Sequence, residues 1–133
     1  MQVPSLYAAL LTFLFVALSI RTLKLRGRLK IGLGDAGNDQ MLRAMRVHAN
    51  FAEYVPLGLV LLFLTHSQGA HVLFLHGLGS CLLIGRLSHA LGVSQVKEDY
   101  RFRVVGMALT FVALLSSSAF LLFSFGRAAF GGA

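Results

Sequence analysis

The feature that most limits what this chain can fold into is its hydrocarbon, four long apolar runs within 133 residues. Residues 1–20 contain no Asp, Glu, Lys or Arg, and residues 104–126 contain none either. Two further apolar runs end near Thr65 and near Leu91, each with its charges gathered at one end. In lipid, every backbone N–H and C=O needs a partner inside its own segment, so such runs cross as helices. About 20 residues span the hydrocarbon core. The expected fold is all-α, a single four-transmembrane-helix bundle over residues 1–133. Charged residues make up only 13% of the chain, against about 25% in soluble domains, which excludes a soluble class.

The formal net charge is +7, which by itself is compatible with nucleic-acid binding. The positions of the cations argue otherwise. Arg21, Lys24, Arg26, Arg28 and Lys30 form one cluster, Arg43 and Arg46 a second, and Lys97, Arg101 and Arg103 a third, with Arg86 and Arg127 apart. Each cluster flanks an apolar run, the distribution of the positive-inside rule rather than of a nucleic-acid groove. Cytoplasmic clusters then leave both termini outside. The basic residues follow the first run instead of preceding it, so that run reads as a retained helix and not as a signal peptide. The single cysteine, Cys81, excludes an intramolecular disulfide and reads as a small packing residue.

Helices are expected at about 1–20, densest in apolar residues over 6–20, and at about 40–65, 71–91 and 101–125. Residues 26–40 form the longest connection, broken by four glycines, with Asn38 or Asp39 as the cap of the next helix. Its glycines and cations resemble a phosphate loop, but no lysine-serine/threonine pair follows, so nucleotide binding is not expected. Pro56 removes a backbone donor within the second helix, and a kink there would open space beside its polar residues. In the third helix Gly77, Cys81 and Gly85 recur every four residues, a small-residue stripe for close approach that extends to His89.

The polar residues of the second helix are the functional signal. At about 100° per residue, Arg43, Arg46, Asn50 and Glu53 fall within a sector of roughly 80°. Ionisable groups at membrane depth are costly and commonly mark a site. Glu53 and Asn50 are too short to snorkel, so anchoring alone does not account for them. Arg86 and His89 lie one turn apart near the same end of the third helix, and Arg101 and Arg103 open the fourth. Several cations with one carboxylate suit an anionic small molecule that also carries an amine. A peptide-like thiol such as glutathione meets both demands, and a nearby arginine would favour its thiolate. His48 lies roughly 160° around the helix from Asn50 and is left to face a neighbouring subunit. His66, His71 and His76 are spaced by five, which suits no zinc motif, so they read as interfacial and no metal is expected.

The string Arg46-xxx-Asn50-xx-Glu53-Tyr54-x-Pro56 resembles the signature of the MAPEG family, the membrane-associated proteins in eicosanoid and glutathione metabolism. Gly85-Arg86-Leu87-Ser88-His89 resembles the third-helix segment of its prostaglandin E synthase branch, and Arg103-xx-Gly106 its catalytic-arginine position. The resemblance covers the whole chain and is that of a bacterial-type member. It implies a homotrimer that binds glutathione between subunits, near the cytoplasmic side of a bacterial inner membrane. It implies that Arg46 and Asn50 hold the backbone and carboxylates of glutathione, that Glu53 holds its amino group, and that Tyr54, Arg86 and His89 complete the pocket. Arg103 would stabilise the thiolate, with Arg101 as its competitor. The implied activity is that of a glutathione transferase, and also a peroxidase, acting on hydrophobic molecules or lipids.

Val93 stands where many members have tyrosine, and His89 where leukotriene C synthases have tyrosine, which leaves the electrophile open. Two other function classes accompany the leading one. A non-catalytic lipid-binding scaffold would bind lipid without turnover. A proton-coupled multidrug transporter would use an isolated carboxylate, whereas Glu53 is accompanied by arginines that hold it ionised.

Overall fold

The computed structural model describes residues 2–97 and 99–130. Four helices follow one another: α1 (Val3–Leu29), α2 (Asp39–Ser67), α3 (Val72–Val93) and α4 (Tyr100–Phe130). All four are long and apolar enough to cross a membrane, and among the described residues there is no strand. The expected four-helix architecture is present. α2 and α3 form the centre and touch every other helix, while α1 and α4 flank them without approaching each other.

The helix ends differ from expectation in instructive ways. α1 continues well past Ile20 to Leu29, because leucine, lysine and arginine are strong helix formers and cations suit a helix C-terminus. At 27 residues it is about 40 Å long, so its basic end emerges from a core of about 30 Å. The connection shrinks to residues 30–38. Lys30 ends α1 in the left-handed conformation (φ 56°). Arg26 braces the turn, its Nη1 donating to the carbonyls of Ile31 (3.3 Å) and Gly34 (3.1 Å). Of the two candidate caps, Asn38 is the one used: its Oδ1 accepts from the Met41 amide at 2.9 Å.

The buried face of α2 recurs every three or four residues through Met41, Ala44, Val47, Phe51, Val55, Gly58, Leu62 and Thr65, the seam of a left-handed bundle. α2 stays helical through Pro56. The space beside that proline is an apolar cavity of about 200 Å³ lined by Phe15, Phe51, Ala52 and Val55. It opens toward α1 and not beside the polar stripe, because Pro56 lies well around the helix from Arg46 and Asn50. His48 also faces α1. Its Nε2 lies 2.9 Å from Ser19 Oγ, and its ring stacks on Phe15 at 4.9 Å. Since the Ser19 hydroxyl donates to the Phe15 carbonyl, His48 must donate from Nε2. In the opposite half of the bundle Tyr7 joins α1 to α3, its hydroxyl donating to the His76 carbonyl (3.1 Å) and lying 2.9 Å from Ser80 Oγ.

α3 and α4 approach through glycines. A Cβ on Gly85 would lie 2.9 Å from the Gly106 carbonyl, and one on Gly106 only 2.6 Å from the His89 amide. The expected stripe is half right. Gly85 is in it, but nothing stands within 4 Å of a Cβ on Gly77, and Gly92 takes part instead. The reason is rotation: Gly92 lies about 20° from Gly85 around the helix, and Gly77 about 80°. Gly106→Ala is expected to cost about 1–3 kcal/mol by forcing two backbones apart, read as unfolding in detergent. Gly77→Ala should be neutral or slightly stabilising. Equal losses from the two would rule out this contact as the tight one.

Candidate anion-binding site near the end of the bundle

The first turns of α2 carry Asp39, Leu42, Arg43, Arg46 and Asn50 along one side of a cavity of about 280 Å³. His89 and Val93 of α3 and Arg103 of α4 complete its lining. Five of the residues singled out in the sequence, Arg43, Arg46, Asn50, His89 and Arg103, thus meet around one space. Arg101 does not line it, so of the two candidate arginines only Arg103 reaches the cavity.

Local contacts hold these side chains in place. Ser88 Oγ donates to the Phe102 carbonyl at 2.8 Å. A Cβ on Gly92 would lie 3.0 Å from the Arg103 amide. The first turn of α4 is therefore seated on the end of α3, which sets the root of Arg103. Arg43 Nη1 donates to the Val93 carbonyl at 3.2 Å, satisfying one of the last carbonyls of α3.

Arg86 sits behind the cavity and is almost wholly buried, at 1% exposure. Its Nε (3.0 Å) and Nη2 (2.7 Å) both donate to Thr110 Oγ1. Nη2 also lies 3.4 Å from the Gly106 carbonyl, and Nη1 donates to Asn50 Oδ1. Its guanidinium stands 5.4 Å over the ring of Tyr54, which in turn lies 6.0 Å from Phe111. One planar fork thereby joins α2, α3 and α4. With Oδ1 of Asn50 committed to Arg86, the amide of Asn50 has N–H donors left to offer. The cavity wall is then rich in donors, from Arg43, Arg46, Arg103 and Asn50, with Asp39 the carboxylate beside them.

Glu53 and Tyr54 are not brought to this cavity. Tyr54 is half-buried against Arg86, and Glu53 is exposed on α2. Glu53 stands 14 residues beyond the start of α2, about 21 Å along it. Asp39, Leu42 and Val93 were not anticipated as lining residues. For Val93 a signal existed: it follows Arg86 by seven residues, about 20° around the helix. For Thr110 there was none, since nothing distinguishes it from the serines further along α4 until the helices are paired.

A family model described as MAPEG family matches residues 4–123. Two relatives, both named inner membrane protein YecN, come from Escherichia coli strain K12 and from E. coli O6:H1 strain CFT073. Each is 35% identical over 114 residues, which is 86% of this chain and 86% of the relative. No solved structure matches. Four helices of spanning length and relatives named for the inner membrane make this a multi-pass protein of the bacterial inner membrane. The family match over nearly the whole chain, with the polar residues of α2, α3 and α4 gathered at one cavity, shows that the chain belongs to the MAPEG family.

Proposed function

We propose that this protein is a glutathione-dependent transferase acting on hydrophobic electrophiles dissolved in the bilayer. The observation that carries this reading is the donor-rich cavity of Arg43, Arg46, Asn50 and Arg103. Such a wall favours an anion, and arginine forks suit carboxylates. Glutathione has two carboxylates, an amine and a thiol. Arg46 and Asn50 hold its carboxylates and backbone, while His89 and Val93 wall the pocket. Arg103 stands beside the thiol, where a guanidinium stabilises the thiolate. The thiol proton leaves to water, the sulfur forms a bond to the electrophilic carbon, and the leaving group departs with the electron pair. Arg103 lowers the barrier by electrostatics, without covalent participation of the protein.

The active form is a homotrimer. A carboxylate facing lipid is costly, and Glu53 is exposed some 21 Å along α2. A cavity of about 280 Å³ is also at the lower bound of ligand pockets, roughly 300–1,000 Å³. A neighbouring copy would cover Glu53 and complete the pocket, bringing Glu53 to the amino group of glutathione. The site then lies near the cytoplasmic side, where the basic clusters belong.

The test is a glutathione binding isotherm on the detergent-solubilised protein, with conjugation of an aromatic halide measured in parallel. Absence of both sinks the reading, while lipid binding without turnover would favour a scaffold. Arg46→Ala is expected to raise the KM for glutathione by about tenfold or more, since a charge-assisted pair contributes about 1.5–3 kcal/mol. The change in kcat should be smaller.

A further inference from the structure

A second cavity lies at the basic end of α1, and it shares no lining residue with the one described above. Its volume is about 620 Å³. Ala17, Ile20, Arg21, Lys24, Leu25 and Arg28 line it from α1, and Gln40 from α2. On a helix Ala17, Ile20, Arg21, Lys24 and Arg28 span a sector about 100° wide and make one strip, with the buried Leu25 at its edge. The strip changes character along its length. Toward the membrane interior it is apolar and open, with Phe13 75% and Ile20 45% exposed. Toward the end of the helix it is cationic. Arg21 donates to Ser94 Oγ and Arg28 Nη2 to Gln40 Oε1. Both arginines are thereby oriented by neutral oxygens, and among the described residues no carboxylate lines the cavity.

We propose that this groove binds one anionic phospholipid. The phosphodiester sits among Arg21, Lys24 and Arg28, and an acyl chain lies along Ile20, Ala17 and Phe13. The chemistry that selects it is a phosphate anion joined to hydrocarbon. Basic pockets at the ends of membrane helices attract anionic headgroups, and long cationic side chains reach the interface while their stems cover apolar surface. A free phosphate would satisfy the cations but leave the apolar half of the strip without a partner.

The experiment uses the purified full-length protein in detergent, with lipid binding read by native mass spectrometry. Phosphatidylglycerol and phosphatidylcholine of the same chains are compared, and glycerol phosphate serves as the headgroup without chains. The variant Lys24→Gln/Arg28→Gln removes two cations from the strip. Lys30→Gln/Lys97→Gln removes the same charge elsewhere, since Lys30 caps α1 beyond its last turn and neither lysine lines the cavity. Phosphatidylglycerol should bind at least tenfold more tightly than phosphatidylcholine. The strip variant should lose that preference, the control should keep it, and glycerol phosphate should compete poorly. Equal binding of the two lipids overturns the proposal, as does equal loss in both variants, which would indicate surface charge alone. A strip variant that loses glutathione binding in step with lipid binding assigns the groove to the thiol site. One whose oligomer dissociates assigns it to a contact between copies.

Discussion

Arg103→Ala is expected to lower turnover by about 10²–10³-fold, the cost of removing one preorganised charge from a developing anion. Affinity for glutathione should fall far less. The asymmetry follows from what each group touches in the proposed complex. Arg46 and Asn50 hold parts of glutathione that do not change during reaction, so their loss weakens ground state and transition state alike. Arg103 faces the sulfur, whose charge state is what the reaction requires. Arg101→Ala supplies the comparison, since Arg101 does not line the cavity. It should leave kcat within a few-fold. If Arg103→Ala loses binding and turnover in equal measure, Arg103 is a ligand-holding residue and the thiolate has another stabiliser. If Arg101→Ala is the more damaging, the register of α4 at the site is wrong.

The second large effect concerns Arg86. Arg86→Ala is expected to destabilise the detergent-solubilised protein by about 2–4 kcal/mol, combining lost charge-assisted bonds with a new void. Thr110 Oγ1 and Asn50 Oδ1 would both lose their donor. Hydrogen bonds between membrane helices contribute about 0.6 kcal/mol each on average and up to about 1.7, which sets the lower half of that range. Arg86→Lys should recover little, because a single ammonium cannot reproduce a fork that reaches Thr110 and Asn50 together. A second readout separates structure from ligand. Freed from Arg86, the amide of Asn50 can turn its oxygen toward the cavity, so glutathione affinity should fall even under conditions where the variant remains folded. A variant as stable as the parent would show that Arg86 does not join the three helices in the membrane.

The polar stripe of α2 was legible because helical geometry is periodic. Arg43, Arg46 and Asn50 share a face in any helix, whatever surrounds it. The same arithmetic separated His48 from them, but left it to a neighbouring subunit rather than to its own chain. Ser19 and Phe15 of α1 meet it, a fact of how two helices are rotated about each other. Helix ends were less legible than helix existence. Nothing in hydropathy distinguishes the interfacial turn of a helix from the loop after it, so the basic end of α1 read as connection although it is helical to Leu29. The glycine stripe failed for a related reason. A four-residue spacing drifts about 40° per step, so Gly77 leaves the face that Gly85 and Gly92 share.

The site shows the same division. Arg46, Asn50, His89 and Arg103 were singled out in the sequence and stand around one cavity. Arg86 was grouped with them, yet within this chain its donors go to Thr110, Asn50 and Gly106. What the sequence by itself determined is the membrane, the four helices and the polar face of α2, because hydrophobic length and helical period are local properties of consecutive residues. What only the tertiary structure decided is which residues share the cavity and which brace it from behind. Thr110 as the anchor of Arg86, the choice of Arg103 over Arg101, and the exposure of Glu53 all depend on the rotation and offset of one helix against another. Those are set by side-chain interlocking and by the close approach at Gly85 and Gly106, which no single segment encodes.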